Sequence, residues 1–151
     1  MLTCLPQSLC SWNYRILGAA TDDATVTFRW LNEGGEIFYD GQEYVIQKQG
    51  LMSGHWTLER DGEVYADAQK SLLRHFDVRF GELQLTVKAE RPFTRCFQIL
   101  IADDLVGTIR PQHPLTRRAT IECADSVPEL AQLFSFWLAV LTWRRAARNN
   151  N

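Results

Sequence analysis

The chain has 151 residues, 46% hydrophobic and 23% charged, the size and make-up of one globular domain that buries roughly 70% of its unfolded surface. Its 18 acidic and 16 basic residues leave a net charge of −2, which argues against a dedicated nucleic-acid binder. Cys4, Cys10, Cys96 and Cys123 form no C-x-x-C and lie far in sequence from His55, His75 and His113, so a zinc or redox motif is excluded. Cys96 and Cys123 fall in apolar runs and read as small buried thiols. A reducing, cytoplasmic compartment is the expected setting. Charge is uneven along the chain: residues 1–75 carry −4 and residues 76–151 carry +2.

Residues 1–12 lack a basic n-region and a long apolar core, so they are expected to be a loose lead-in and not a signal peptide. From residue 13 to 148 a single domain of strands is expected. Asn13–Gly18 is the first. Ala24–Trp30 alternates, placing Ala24, Val26, Phe28 and Trp30 on one face. Gly34 and Gly35 read as turn residues. Glu36–Tyr39 and Glu43–Lys48 flank Asp40–Gly41, the strongest two-residue hairpin signal. The same plan recurs in His55–Arg60 and Glu63–Ala68 around Asp61–Gly62, and in Arg74–Phe80 and Glu82–Ala89 around Gly81. Arg95–Ile101 and Leu105–Arg110 flank a tip at 102–104. A Pro-marked loop then leads to Arg118–Cys123.

About eleven strands with connections too short for crossover helices describe a meander. Alternation buries one sheet face and wets the other. Closing the sheet removes its exposed edges, and a barrel larger than about eight strands has a lumen that something must fill. The chain supplies one candidate. From Leu130 to Trp143 there is no charge, and apolar residues run nearly all round the helical wheel. A helix over about 127–147 is expected, with Ser126 as N-cap, Glu129 at the capping-box position and Arg144, Arg145 and Arg148 at its negative pole. Its diameter of about 10–12 Å suits a ten-to-twelve-stranded lumen. The stripe of Ala131, Ser135 and Ala139 lets one side lie close to the wall. As a membrane anchor the uncharged run spans only about 21 Å, short of a hydrocarbon core of roughly 30 Å. The expected fold is therefore mainly β: a closed antiparallel barrel of 11–12 strands around a C-terminal hydrophobic helix, followed by a polar tail at 149–151.

Consecutive hairpins, D-G turns, the Trp56–Thr57–Leu58 strand, Gly107–Thr108–Ile109 and the apolar terminal helix together resemble the tubby C-terminal-like superfamily. That group includes the LURP-one-related proteins and, by fold, the phospholipid scramblases. The resemblance covers roughly residues 35–148. It implies a barrel of about twelve strands round a central helix and a lipid-related role. The acidic calcium-binding run that scramblases carry beside their helix is absent here, where residues 122–126 read Glu-Cys-Ala-Asp-Ser.

No nucleophile motif, phosphate loop or metal spacing accompanies the three histidines, so no enzymatic activity and no cofactor or metal is expected. The basic cluster Arg91, Arg95, Arg110, His113, Arg117 and Arg118 reads either as a solvated face or as an anion site on the barrel rim. The expected function is a non-catalytic binding or scaffold module, peripheral to a membrane if its partner is an acidic lipid headgroup such as a phosphoinositide. The alternatives are a protein–protein interaction domain and a short C-terminally anchored protein. A monomer that binds no nucleic acid is expected.

Overall fold

The computed structural model describes residues 1–72 and 74–150. Twelve strands follow one another: β1 (Leu2–Pro6), β2 (Tyr14–Leu17), β3 (Thr25–Phe28), β4 (Gly35–Tyr39), β5 (Gln42–Lys48), β6 (His55–Arg60), β7 (Glu63–Leu72), β8 (His75–Phe80), β9 (Leu83–Ala89), β10 (Phe97–Ile101), β11 (Asp104–Pro111) and β12 (Ala119–Cys123). One helix, α1 (Glu129–Asn149), ends the chain. Each strand pairs antiparallel with its sequence neighbours, and β1 pairs with β12 to close the barrel. The closed barrel around a terminal helix agrees with the sequence expectation.

The first residues are a strand and not a loose lead-in. Leu2 and Cys4 alternate inward, and β1 stands opposite Ala119–Ile121 on one side and Tyr14–Leu17 on the other. Without it β2 and β12 would both be bare edges, so the seam supplies the pairing that a short, weakly patterned segment does not advertise. Asp40–Gly41 and Asp61–Gly62 all have positive φ, as a type I′ hairpin turn requires. The fourth tip is Ala102–Asp103, because Ile101 pairs with Asp104, and both tip residues have positive φ.

Inward positions are apolar from strand to strand except at Lys70 near the end of β7, and outward ones carry residues such as Arg15, Glu36, Glu43, Asp77, Arg79 and Glu122. Every residue of α1 from Leu130 to Leu141 is buried, Gln132 and Ser135 included. The barrel therefore encloses the helix on all sides, and it does not project as an anchor. No helix among the described residues is long and apolar enough to cross a membrane.

Ser135 returns its hydroxyl to the Ala131 carbonyl (2.8 Å), and Gln132 donates to the Val127 carbonyl (2.9 Å), so neither is left unsatisfied in the lumen. Trp137 stacks on Phe28 at 4.8 Å and donates its indole N–H to the Thr27 carbonyl. Gly35 belongs to β4 and not to the preceding turn. A Cβ there would sit 2.0 Å from the Thr27 carbonyl oxygen and 2.7 Å from Trp137 Nε1, so the missing side chain is what admits the indole.

Pro128, not Ser126, occupies the N-cap, and no side chain caps the helix. Glu129 is drawn off to the barrel wall instead, accepting from the Ala20 N–H (2.9 Å) and the Tyr39 hydroxyl (2.8 Å). At the other end α1 runs to Asn149, two residues beyond the expected limit; Asn151, the last of the expected polar tail, lies outside the described residues. Cys96 and Cys123 are only half-buried, and Cys4 on the seam strand is the fully buried thiol.

Candidate functional site

In a closed meander the connections fall alternately at the two ends. One end collects residues 7–13, 29–34, 49–54, the β7–β8 connection, 90–96 and 112–118, together with the last turns of α1. The other collects 18–24, the tight turns at 40–41, 61–62, 81–82 and 102–103, and the 124–128 link into α1. These are called the loop end and the turn end.

Leu9, Trp30, Leu31, Leu51, Met52, Phe93 and Leu115 are each at least 83% exposed, and all lie on loop-end connections. No other large apolar side chain among the described residues exceeds 74%. Charge divides along the same axis. Loop-end connections and the last turns of α1 carry nine Lys and Arg against Glu33 and Glu90; turn-end connections and Glu129 carry eight acidic residues and no basic one.

Sequence alternation placed Trp30 inward with Val26 and Phe28; the structure turns it outward. The β3 ladder stops at Phe28, where the Arg29 N–H bonds back to the Gly34 carbonyl and closes a loop. Arg144 then reaches up from α1 and donates Nη2 to the carbonyls of Arg29 (2.9 Å) and Trp30 (3.2 Å). Its guanidinium is buried beside the Phe28 ring, and burial, with Arg148 nearby, lowers its pKa. A charged group spent in this way holds the Trp30–Leu31 tip away from the lumen.

Other loops are tied down by the same residue type. Arg117 lies 3.9 Å from the Trp12 ring and donates to the Ser11 carbonyl, bracing residues 7–13. Arg95 lies over the Trp143 ring, whose indole donates to the Arg95 carbonyl. Arg145 and Lys48 converge on the Glu33 carboxylate above Trp56. The hydrogen bond from Arg145 is the largest influence and holds Glu33 at about 2, with Lys48 helping against the opposing effect of burial.

Phe93 has φ of 66°, the left-handed region that costs a bulky L-residue roughly 1–2 kcal/mol. Arg74 clamps the loop by donating to the Thr94 carbonyl at 2.6 Å, and the Thr94 hydroxyl accepts from the Cys96 N–H. Strain of this kind persists only where surrounding contacts over-determine it. Here it leaves an aromatic ring bare.

Two clefts open between the end of α1 and these loops. One, of about 320 Å³, is lined by Trp12, Arg95, Arg117 and Trp143 among others. The second, of about 590 Å³, lies between Lys70, Arg74 and His75, residues 88–93 and the last helical turns.

The six basic residues picked out in the sequence all sit at or near the loop end, but they do not form one site. Arg91 lines the larger cleft; Arg95 and Arg117 are stacked on tryptophans in the smaller one. Arg110 is paired with Glu90 at 3.2 Å. His113 accepts the Leu115 N–H at Nδ1, and Arg118 stands exposed at the start of β12. Sequence reasoning missed Lys70, Arg74 and Lys88, and it missed the apolar tips altogether. The available signal was parity: apolar pairs such as Trp30–Leu31 and Leu51–Met52 fall only in odd-numbered connections. His55 and His75 lie on strands near Asp67 (3.8 Å) and Asp77 (3.4 Å). The chain matches no family model, no curated protein and no solved structure.

Proposed function

We propose that the protein is a peripheral membrane-binding module that docks its loop end on an anionic lipid surface. The observation that carries this reading is the coincidence, at one end of the barrel, of the seven most exposed large apolar side chains among the described residues with the basic residues. Single exposed apolar residues need no explanation, but a set confined to one rim does. The tips stand on separate loops around an open end, with cations beside them. That arrangement suits a fluid interface into which each tip inserts independently. Apolar side chains entering the headgroup layer contribute by area, and nearby Lys and Arg contribute about 1 kcal/mol each toward acidic lipids, screened by salt. The acidic turn end is repelled by the same surface, which orients the barrel axis toward the bilayer normal.

Liposome co-sedimentation tests the reading. Binding is expected with vesicles containing phosphatidylserine, weaker with phosphatidylcholine alone, and reduced at high salt. Arg91→Glu with Arg118→Glu, both exposed and free of packing on tryptophan, should weaken binding by about tenfold or more at low salt. Absence of sedimentation under every condition would leave an acidic protein partner as the reading of the basic rim.

A further inference from the structure

Within the rim, the larger cleft has a composition that general membrane attraction does not require. Five Lys and Arg line it (Lys70, Arg74, Lys88, Arg91 and Arg145) with no Asp or Glu among the lining residues. Arg145 is committed to Glu33. The other four have no carboxylate within ion-pair distance among the described residues. Like charges brought together at the mouth of a concavity repel one another, and a solvated face would let them spread.

Local structure holds them there. Arg74 is pinned to the Thr94 carbonyl, and Lys70 stands on the inward register of β7 with Ala66 and Ala68. His75 and Lys88, paired across β8 and β9, stand on the outward register at the edge of the cleft, where Lys88 adds positive charge to its rim. Burial, reinforced by Arg145, also lowers the pKa of Lys70, and the Glu33 carboxylate offsets this only in part. Ala89, Pro92, Phe93 and Ala146 add apolar surface to the lining.

We propose that this cleft is a binding site for one phosphorylated amphiphile, with a phosphate monoester held by Lys70, Arg74 and Arg91 and the adjoining apolar portion laid along Phe93 and Ala146. The proposal rests on the membrane-docking reading for its biological setting but not for its chemistry. A phosphate monoester carries nearly two charges and three acceptor oxygens, which answer several cations at once where a single carboxylate would leave most unpaired. Guanidinium forks match phosphate geometry, and the volume falls in the range of small-ligand sites. The same head chemistry occurs in a soluble phosphate ester and in a lipid; the apolar wall favours the lipid.

The test is isothermal titration of the full chain with three soluble probes: dihexanoyl phosphatidic acid below its micelle concentration, glycerol 3-phosphate, and dihexanoyl phosphatidylcholine. Saturable one-site binding of the phosphatidic acid, at least about tenfold tighter than glycerol 3-phosphate and absent for the phosphatidylcholine, is the expected result. Lys70→Gln or the exposed Arg91→Gln should each weaken it by about tenfold, the second serving if the first disturbs the barrel. Trp30→Ser with Leu31→Ser should leave it unchanged, since those tips act only on a bilayer. Equal affinity for glycerol 3-phosphate would overturn the amphiphile assignment, and binding that survives both cleft substitutions would overturn the site. Vesicle binding without any binding of the soluble probes would sink this inference and leave the docking reading standing.

Discussion

The two ends of the barrel reverse the chain equally often and do so with opposite materials. At the turn end, Asp40–Gly41 and Asp61–Gly62 spend two residues each, in the backbone conformation that the twist of a hairpin demands. Among the described residues no large apolar side chain is fully exposed there. At the loop end, connections of six or seven residues carry Trp30, Met52 and Phe93 into solvent, one of them in a strained conformation, and arginines from α1 and from the 112–118 connection hold the loops up. Tight turns minimise the entropy of closure, whereas long loops with bare aromatic tips raise it. An end built against stability in this way is the one to examine for binding.

The comparison can be broken most severely at the piece common to both ends. Trp137→Ala removes the indole that stacks on Phe28 and fills the space left by Gly35. A loss of about 3–5 kcal/mol in urea unfolding is expected for a ring so fully enclosed. An effect below roughly 0.5 kcal/mol would mean that α1 does not set the barrel.

Next comes the loop end by itself. Trp30→Ser with Leu31→Ser should cut vesicle binding by about ten- to a hundredfold while leaving the thermal midpoint within a few degrees, because both side chains are solvent-exposed in the free protein. As the matching change at the turn end, Asp61→Asn keeps the turn chemistry and should leave vesicle binding unaltered. If the two variants behaved alike, the division between the ends would carry no function.

The smallest effect concerns Glu33, the one carboxylate that braces the loop end through both Arg145 and Lys48. Its folded pKa of about 2 lies below the ordinary 4.5, so its contribution is complete above that ordinary value and is lost as pH falls toward 2. Thermal midpoints of the natural chain and Glu33→Gln should therefore differ by a few degrees at about pH 6, draw together below about pH 4 and converge only as the pH approaches 2.

Much of this architecture was legible before any coordinates. Alternation in Glu43–Lys48, His55–Arg60 and Glu82–Ala89, the D-G pairs and the uncharged run of α1 are local patterns, and local patterns survive into the fold because each strand buries one face. The seam strand β1 was not legible: five residues with a proline matter only because β2 and β12 need a partner. Nor was the role of Gly35, which a turn-like Gly-Gly pair disguises and which the indole of a residue about a hundred positions away explains.

The candidate site was legible only in fragments. Arg91, Arg95, Arg117 and Arg118 were visible as a basic stretch, but a net charge of −2 averages over two ends of opposite sign, and a count by halves of the chain cuts across both. Sequence by itself determined the strands, most of their turns and the need for something apolar to fill a closed sheet, because burial leaves a periodic imprint on neighbouring residues. Only the tertiary structure decided which end each loop occupies, which arginines brace loops and which line a cleft. Those properties depend on the parity of the meander and on contacts across the lumen, where residues far apart in the chain meet.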